Sequence, residues 1–67
     1  MIEIVLNGRE RNVERGLSLE ALLAELDMPA ARVAVERNRQ VVPRSLFASQ
    51  HVEPGDRIEI VTLVGGG

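Results

Sequence analysis

The sequence predicts an α+β domain, in which a mixed β-sheet is covered on one face by a single helix. Apolar and polar residues alternate near both ends of the chain, only one internal segment has leucines at helical spacing, and turn-forming residues separate several short β-branched stretches. Runs of strands around one helix are typical of two-layer α+β folds. The chain has 67 residues and no cysteine, so one small domain must be held together by aliphatic burial.

The first elements of the chain form a predicted β-hairpin. Residues 2–6 alternate in hydrophobicity with a period of two, as a half-buried strand does. The dipeptide Asn7-Gly8 follows, and this pair suits a two-residue hairpin turn that requires positive φ. Residues 9–14 then form the return strand, with Val13 as its clearest core residue.

One helix is predicted after the break at Gly16. Ser18 is a good N-cap, and Glu20 in the first turn complements the helix dipole. Four leucines follow at helical spacing, namely Leu19, Leu22, Leu23 and Leu26. Residues 27–29 end the helix, because the residue before a proline disfavours the helical conformation. The leucine stripe is too short for a zipper seam, so we expect it to pack on the core.

The second half of the chain contains three further predicted strands. A short β-branched strand over residues 33–35 is followed by a polar turn over residues 36–40 and by extended structure at residues 41–42. A short helical turn over residues 45–49 is expected to carry Leu46 and Phe47 inward. After a strong turn signal at residues 53–56, the last strand covers residues 57–63. Its inward side is predicted to contain Ile58, Ile60 and Thr62.

A first hairpin, one crossing helix and a last strand able to lie beside the first describe a β-grasp, or ubiquitin-like, roll. We therefore assign residues 1–63 to a β-grasp domain with a mixed sheet of four to five strands, and residues 64–67 to a flexible C-terminal glycine tail. The central position of the last strand is an inference from this fold and does not follow from periodicity.

Composition excludes several classes of function. The formal net charge of −2 argues against a nucleic-acid partner, which requires a basic surface. No apolar run approaches the roughly 18–20 residues that span a bilayer, so no membrane partner is expected. The N-terminus has neither a basic region nor a small-residue cleavage site, and we expect a cytoplasmic protein.

The sequence contains no recognisable internal active site. His51 is the only histidine, and no serine or threonine forms a convincing triad with it. Phosphate-binding loops and metal-ligand spacings are also missing. A solvated surface position is the simplest interpretation of His51. We therefore expect the chain not to be an enzyme and to hold neither metal nor cofactor.

The end of the chain is the best candidate for chemistry. Val64 is followed by Gly65, Gly66 and Gly67, and glycines without Cβ atoms can enter a channel too narrow for other residues. Four residues span roughly 13 Å when extended, enough to place the Gly67 carboxylate in a partner's active site. A carboxylate resists nucleophilic attack, so it must first be activated, most simply as an acyl-adenylate. A frayed terminus is the alternative, but the glycines follow the last strand directly in a ubiquitin-like layout.

An ordered set of segments runs through the sequence: IVLNG at 4–8, the leucine pattern at 19–26, VAVERN at 33–38, VVPRS at 41–45, PGDRIEI at 54–60 and VGGG at 64–67. In these segments the chain resembles the ThiS family, the sulfur carrier proteins of thiamin biosynthesis, over essentially its whole length. Some relatives end in two glycines, so the third is a departure here. The family uses the final glycine, which in this sequence is Gly67.

The resemblance implies a reaction sequence at Gly67. An E1-like, zinc-containing activating enzyme similar to ThiF would adenylate Gly67 with MgATP. A persulfide from a sulfurtransferase or cysteine desulfurase would convert the adenylate to a thiocarboxylate. A thiazole synthase similar to ThiG would then receive the sulfur. ATP belongs to the partner, and this chain holds no cofactor of its own.

A docking surface is expected beside the tail, on the sheet face opposite the helix. Its apolar candidates are Val5, Leu6, Leu63 and Val64, and its charged rim candidates are Arg44 and Glu59. The same residues also fit ordinary core or edge positions. Other open interpretations are a carrier for molybdopterin, tRNA thiolation or cysteine synthesis, and a ubiquitin-like interaction module with an idle tail.

Overall fold

A computed structural model describes residues 1–63 of the chain, and the tail residues 64–67 lie outside this range. Within residues 1–63 there are one α-helix and five strands. The helix α1 covers Leu19–Glu25, and the strands are β1 (Ile2–Leu6), β2 (Arg9–Val13), β3 (Val33–Arg37), β4 (Gln40–Val42) and β5 (Arg57–Thr62). Short 3₁₀ turns occur at Ala30–Arg32 and Arg44–Leu46. The predicted α+β class is confirmed.

The five strands form one mixed sheet in the order β2-β1-β5-β3-β4. Strands β1 and β5 are parallel, and the other neighbours are antiparallel. The last strand is therefore central, between the first strand and the third, as the β-grasp assignment predicted. The tail consequently follows the middle strand of the sheet.

The first hairpin agrees closely with its sequence pattern. Asn7 and Gly8 have φ values of 49° and 83°, so both turn residues are in the left-handed region that a type I′ turn requires. Strands β1 and β2 pair from Ile2 opposite Val13 to Leu6 opposite Arg9. The turn chemistry and the hydrophobic period are both local signals, which is why this element was predictable.

The second hairpin corrects the prediction of a polar turn over residues 36–40. Its turn consists of Asn38 and Arg39 alone, with φ values of 52° and 71°. Glu36 and Arg37 belong to β3, and Arg37 pairs with Gln40 across the hairpin. Because Glu36 and Arg37 are polar, the hydrophobic pattern did not indicate that β3 continues through them. Two consecutive left-handed residues close the hairpin without glycine, so the turn lacks the sequence signal that marks the first one.

The helix has the predicted N-cap, but its C-terminus is closed by a capping motif that was not predicted. The Ser18 hydroxyl accepts a hydrogen bond of 3.0 Å from the Ala21 N–H. At the other end, Asp27 has a φ of 57°. Its N–H donates to the Ala24 carbonyl at 3.1 Å, and the Met28 N–H donates to the Leu23 carbonyl at 2.9 Å. This is a Schellman motif with aspartate in the position that glycine usually occupies.

The core lies between α1 and one face of the sheet. Its buried residues are Ile2, Ile4, Val13, Leu17, Leu19, Leu22, Leu23, Val33, Val35, Phe47, Val52, Ile58 and Ile60. Leu46 was predicted to point inward with Phe47, but it is 40% exposed. Thr62 is also exposed, so the inward side of β5 ends at Ile60.

Candidate functional site: the outer sheet face at the base of the tail

The predicted reactive residue Gly67 and its neighbours Val64, Gly65 and Gly66 lie outside the described residues. The structure describes the strand that leads to them. Strand β5 pairs with β3 as far as Thr62, which lies opposite Val33. The Leu63 N–H then donates to the Arg32 carbonyl at 2.8 Å, so the ladder continues to the last described residue.

Alternation along β5 separates its core side from its exposed side. Ile58 and Ile60 are buried against the core, whereas Glu59 is exposed, Val61 is 59% exposed and Leu63 is 53% exposed. These exposed side chains lie on the sheet face opposite α1. We call this the outer face; it includes Val5, Ala34, Glu36, Arg57, Glu59, Val61 and Leu63. It is the surface next to the base of the tail.

The structure brings three of the predicted docking residues to the outer face. Val5 and Glu59 line a groove of about 240 Å³ together with Gly8, Arg39 and Arg57. Leu63 lies just beyond the end of β5, toward the tail. The groove and the exposed Leu63 thus combine charged and apolar groups on one surface.

Two of the remaining docking candidates, Leu6 and Arg44, lie elsewhere, and the third, Val64, is outside the described residues. Leu6 alternates with Val5, so its side chain lies on the opposite side of the sheet and packs against the core. Arg44 is exposed in the 3₁₀ turn after β4. Because β3 and β4 separate this turn from β5 in the strand order, Arg44 is remote from the groove.

Sequence reasoning missed the two arginines of the groove and the exposed Val61. The alternation around Ile58 and Ile60 could have predicted that Arg57 and Val61 lie on the outer face, because the residues on either side of a buried strand position face outward. Arg39 had no such signal. It reaches the groove from the turn of the second hairpin, which only the tertiary structure places beside β5.

The outer face also has an unusual charge arrangement in its centre. Glu36 on β3 lies directly opposite Glu59 on β5. Like charges in this position are destabilising in an isolated sheet. The salt bridge found within residues 1–63 joins Arg37 to Asp56. Neither Glu36 nor Glu59 takes part in a salt bridge in that range.

The start of β5 is held by a partly buried polar network around Asp56, which is 7% exposed. The Arg37 Nε and Nη2 atoms each lie 2.8 Å from Asp56 Oδ2. The Asn38 amide donates to Asp56 Oδ1 at 3.1 Å, and the Glu53 N–H donates to Oδ2 at 2.8 Å. The network therefore ties the turn before β5 to the second hairpin.

No catalytic arrangement is found in the part of the chain that the structure describes. His51 is exposed, and its Nδ1 lies 2.8 Å from the Gly16 carbonyl oxygen. No group of three metal-ligating side chains occurs within residues 1–63. Of the helices in that range, none is long and apolar enough to cross a membrane.

Comparison with known proteins places this geometry in a family. The model of the ThiS family matches residues 4–67. The chain is 32% identical to the sulfur carrier protein ThiS of Escherichia coli, over 98% of this chain and 100% of that protein. It is 47% identical to a thiazole synthase of Paramagnetospirillum magneticum over 98% of this chain, but it spans only 20% of that protein's length.

A solved structure has the same fold. The crystal structure of the thiamine biosynthesis protein ThiS from Geobacter metallireducens superposes with a TM-score of 0.86 at 32% identity, covering 98% of this chain and 100% of that one. The family model, the full-length relative and the shared fold agree with the resemblance found in the sequence. This chain belongs to the ThiS family.

Proposed function

We propose that this chain is the sulfur carrier for thiazole synthesis in the thiamin pathway and that its reactive group is the Gly67 carboxylate. The observation that carries this proposal is the run of three glycines separated from the end of β5 by two residues, in a chain similar over nearly its whole length to a sulfur carrier protein. Strand β5 is central in the sheet and remains paired with β3 as far as Thr62, so the tail begins next to a strand end that the sheet supports.

The chemistry requires activation, because a carboxylate is a poor electrophile. A carboxylate oxygen attacks the α-phosphorus of ATP, pyrophosphate leaves, and the acyl-adenylate acquires a good leaving group. A persulfide sulfur then attacks the acyl carbon and AMP leaves. A second thiol reduces the sulfur–sulfur bond, which leaves the thiocarboxylate on the tail and a disulfide on the donor.

The catalytic groups for these steps belong to partner proteins. We assign activation to an E1-like, ThiF-like enzyme that uses MgATP, and sulfur supply to a sulfurtransferase or cysteine desulfurase. The chain itself acts as a protein co-substrate without a cofactor of its own. These partners and their ATP place the reaction in the cytoplasm.

A ThiG-like thiazole synthase is the proposed sulfur acceptor. The thiazole synthase of Paramagnetospirillum magneticum contains a segment similar to nearly all of this chain, within a polypeptide about five times as long. A second thiazole synthase, from Magnetococcus marinus, has the same relation at 42% identity. The presence of a carrier-like segment and a thiazole synthase in one polypeptide supports a functional contact between carrier and acceptor.

We place the docking surface on the outer face. Val61 and Leu63 supply exposed apolar area beside the tail, and Val5 and Glu59 line the adjoining groove. An apolar patch with a charged rim suits an association that must form and dissociate in each cycle. Arg44 and Leu6, which lie away from this surface, are assigned no docking role.

The proposal is tested by intact mass. The full chain is incubated with its activating enzyme, ATP and a sulfur donor, and one oxygen-to-sulfur exchange at the C-terminus is the expected gain. The matched control lacks Gly66 and Gly67 and should gain nothing. If the full chain gains no sulfur and the truncated chain still supports growth, the protein is a ubiquitin-like interaction module instead.

The pathway is tested separately by removing the gene. A thiamin requirement is the expected phenotype. A molybdenum-cofactor defect or undermodified tRNA, with growth independent of thiamin, would assign the same tail chemistry to a different pathway.

A further inference from the structure

We propose that Asn7 is a positioning residue for sulfur loading, because its side-chain amide secures the second half of β5 and thereby sets the direction in which the tail leaves the domain. The inference rests on the proposed function, since it takes the Gly67 carboxylate as the group that must reach the partner's active site.

The first strand is too short to support all of β5. The parallel pairing of β1 with β5 consists of Val5 opposite Arg57 and Leu6 opposite Ile58. Strand β5 continues to Thr62. On its other side it remains paired with β3 over this whole length. The segment leading to the tail therefore has a strand neighbour on only one side.

Asn7 takes the place of the missing strand neighbour. Its Oδ1 accepts a hydrogen bond of 2.8 Å from the Ile60 N–H, and its Nδ2 donates to the Ile60 carbonyl at 3.3 Å. The Asn7 N–H also donates to the Ile58 carbonyl at 2.9 Å. One side-chain amide thus satisfies both backbone groups of Ile60, as an adjacent strand would. Because Ile60 is held by two hydrogen bonds from the same amide, the orientation of β5 is also restricted.

Asparagine suits this position for two reasons, its backbone conformation and the hydrogen-bonding groups of its side chain. At a φ of 49° the residue is in the left-handed region, which asparagine adopts more readily than most side chains. Its amide supplies one donor group and one acceptor at the same distance from the backbone. Aspartate at neutral pH lacks the donor, and glycine keeps the turn but lacks both groups.

Asn7 is also the last support on this side of β5 among the described residues. The Leu63 N–H points to β3, so the N–H and C=O groups of Thr62 point the opposite way, toward the side of Asn7. They have no hydrogen-bond partner within residues 1–63. Support for the tail-proximal strand on that side therefore ends at Ile60.

A small tilt at this point has a large effect at the end of the chain. When a partner holds the four tail residues extended, they span roughly 13 Å, so a tilt of about 10° at their base would displace the terminal carboxylate by roughly 2 Å. Misplacement by about 1 Å is enough to slow a positioned reaction up to about a hundredfold. The effect is expected mainly on the chemical step, because Asn7→Gly replaces no side chain of the outer face.

Asn38 provides a matched control within the same chain. It has the same place in the second hairpin, with a φ of 52°, and its Oδ1 accepts a hydrogen bond of 2.9 Å from the Arg57 N–H. Like Asn7, it joins a turn to β5 through a side-chain amide. It acts at the opposite end of the strand, away from the tail.

The experiment compares the full-length variants Asn7→Gly and Asn38→Gly. Thiocarboxylate formation is measured with the activating enzyme, ATP and sulfur donor while the carrier concentration is varied, and melting temperature and amide exchange are recorded for each chain. We expect Asn7→Gly to lower kcat about tenfold with KM changed less than about twofold. The Ile60 and Leu63 amides should exchange faster. Asn38→Gly should be destabilised as much or more, with kcat unchanged.

A third variant, Asn7→Asp, retains the Oδ1 acceptor and should give an intermediate kcat even if Asn7→Gly folds poorly. The inference is overturned if Asn7→Gly, with faster Ile60 exchange, loads sulfur at the wild-type rate, or if both glycine variants lower kcat equally. A wild-type chain that gains no sulfur would instead refute the proposed function, and the inference with it.

Discussion

The two ends of β5 are held in the sheet by different numbers of contacts. At its start, the Asp56 network joins the preceding turn, β3 and the second hairpin through hydrogen bonds and an ion pair to the buried Asp56 carboxylate. At its end, Asn7 is the side-chain support from the first hairpin, and the outer side of the strand is exposed. The start of the strand is therefore the better supported end, and the other end adjoins the proposed docking surface.

The two hairpins that supply these contacts differ in a related way. Both turns place asparagine first, with positive φ, but the second residue is Gly8 in one and Arg39 in the other. A non-glycine residue in the left-handed region costs about 1 kcal/mol. The second hairpin tolerates this cost because Arg37 and Asn38 also bind Asp56, whereas the first relies on favourable turn residues.

The largest expected effect concerns the start of β5. Asp56→Ala removes the acceptor for Arg37, Asn38 and the Glu53 N–H, and leaves the Arg37 guanidinium partly buried without its counter-ion. We expect the free energy of unfolding to fall by about 3 kcal/mol, measured by urea denaturation. The exposed Glu53→Ala serves as a control and should change it by less than about 0.5 kcal/mol. A loss below about 1 kcal/mol for Asp56→Ala would show that the network is not the main support of this end.

A smaller effect, of a different kind, is expected at the end of β5. Leu63→Asp should raise the KM for the activating enzyme about tenfold, equivalent to about 1.4 kcal/mol, because it places a charge in the proposed apolar contact. Its stability should change little, since Leu63 is 53% exposed. Leu46→Asp is the matched control, because Leu46 is 40% exposed but lies away from the outer face. Equal KM values for the two variants would remove the outer face from the docking proposal.

The smallest expected effects concern the two hairpin turns, where substitutions should change the free energy of unfolding in opposite directions. Gly8→Ala should lower the free energy of unfolding by about 1 kcal/mol from backbone strain alone, because a Cβ there would meet nothing within 4 Å. Arg39→Gly should raise it by about 0.5 kcal/mol, since relief of strain exceeds the entropy that glycine loses. Thermal denaturation measures both. A destabilised Arg39→Gly variant would mean that the Arg39 side chain contributes contacts that outweigh its strain.

Much of the fold was predictable because its signals are local. The alternation in β1, the Asn7-Gly8 turn and the Ser18 cap each act within a few residues, and all three are found as expected. The second hairpin was misjudged because Glu36 and Arg37 are polar residues within a strand. The contacts that make Arg37 acceptable there come from Asp56, which is 19 residues away in the sequence.

The candidate site was predictable in part for the same reason. Val5, Glu59 and Leu63 lie on one face of the sheet, since alternation along a strand determines the side that each residue occupies. Leu6 was grouped with Val5 although adjacent strand residues must face opposite ways. Arg39 joins the groove only because the second hairpin turns beside β5.

By itself, the sequence determined the type and order of the elements, the two-layer class and the side-chain-free character of the C-terminus. These depend on residue spacing and backbone preference, which act over a few residues. Only the tertiary structure decided that β5 is held by Asp56 at one end and by Asn7 at the other. Asn7 and Ile60 are 53 positions apart, and hydrogen bonds over such a separation depend on the paths of several strands at once.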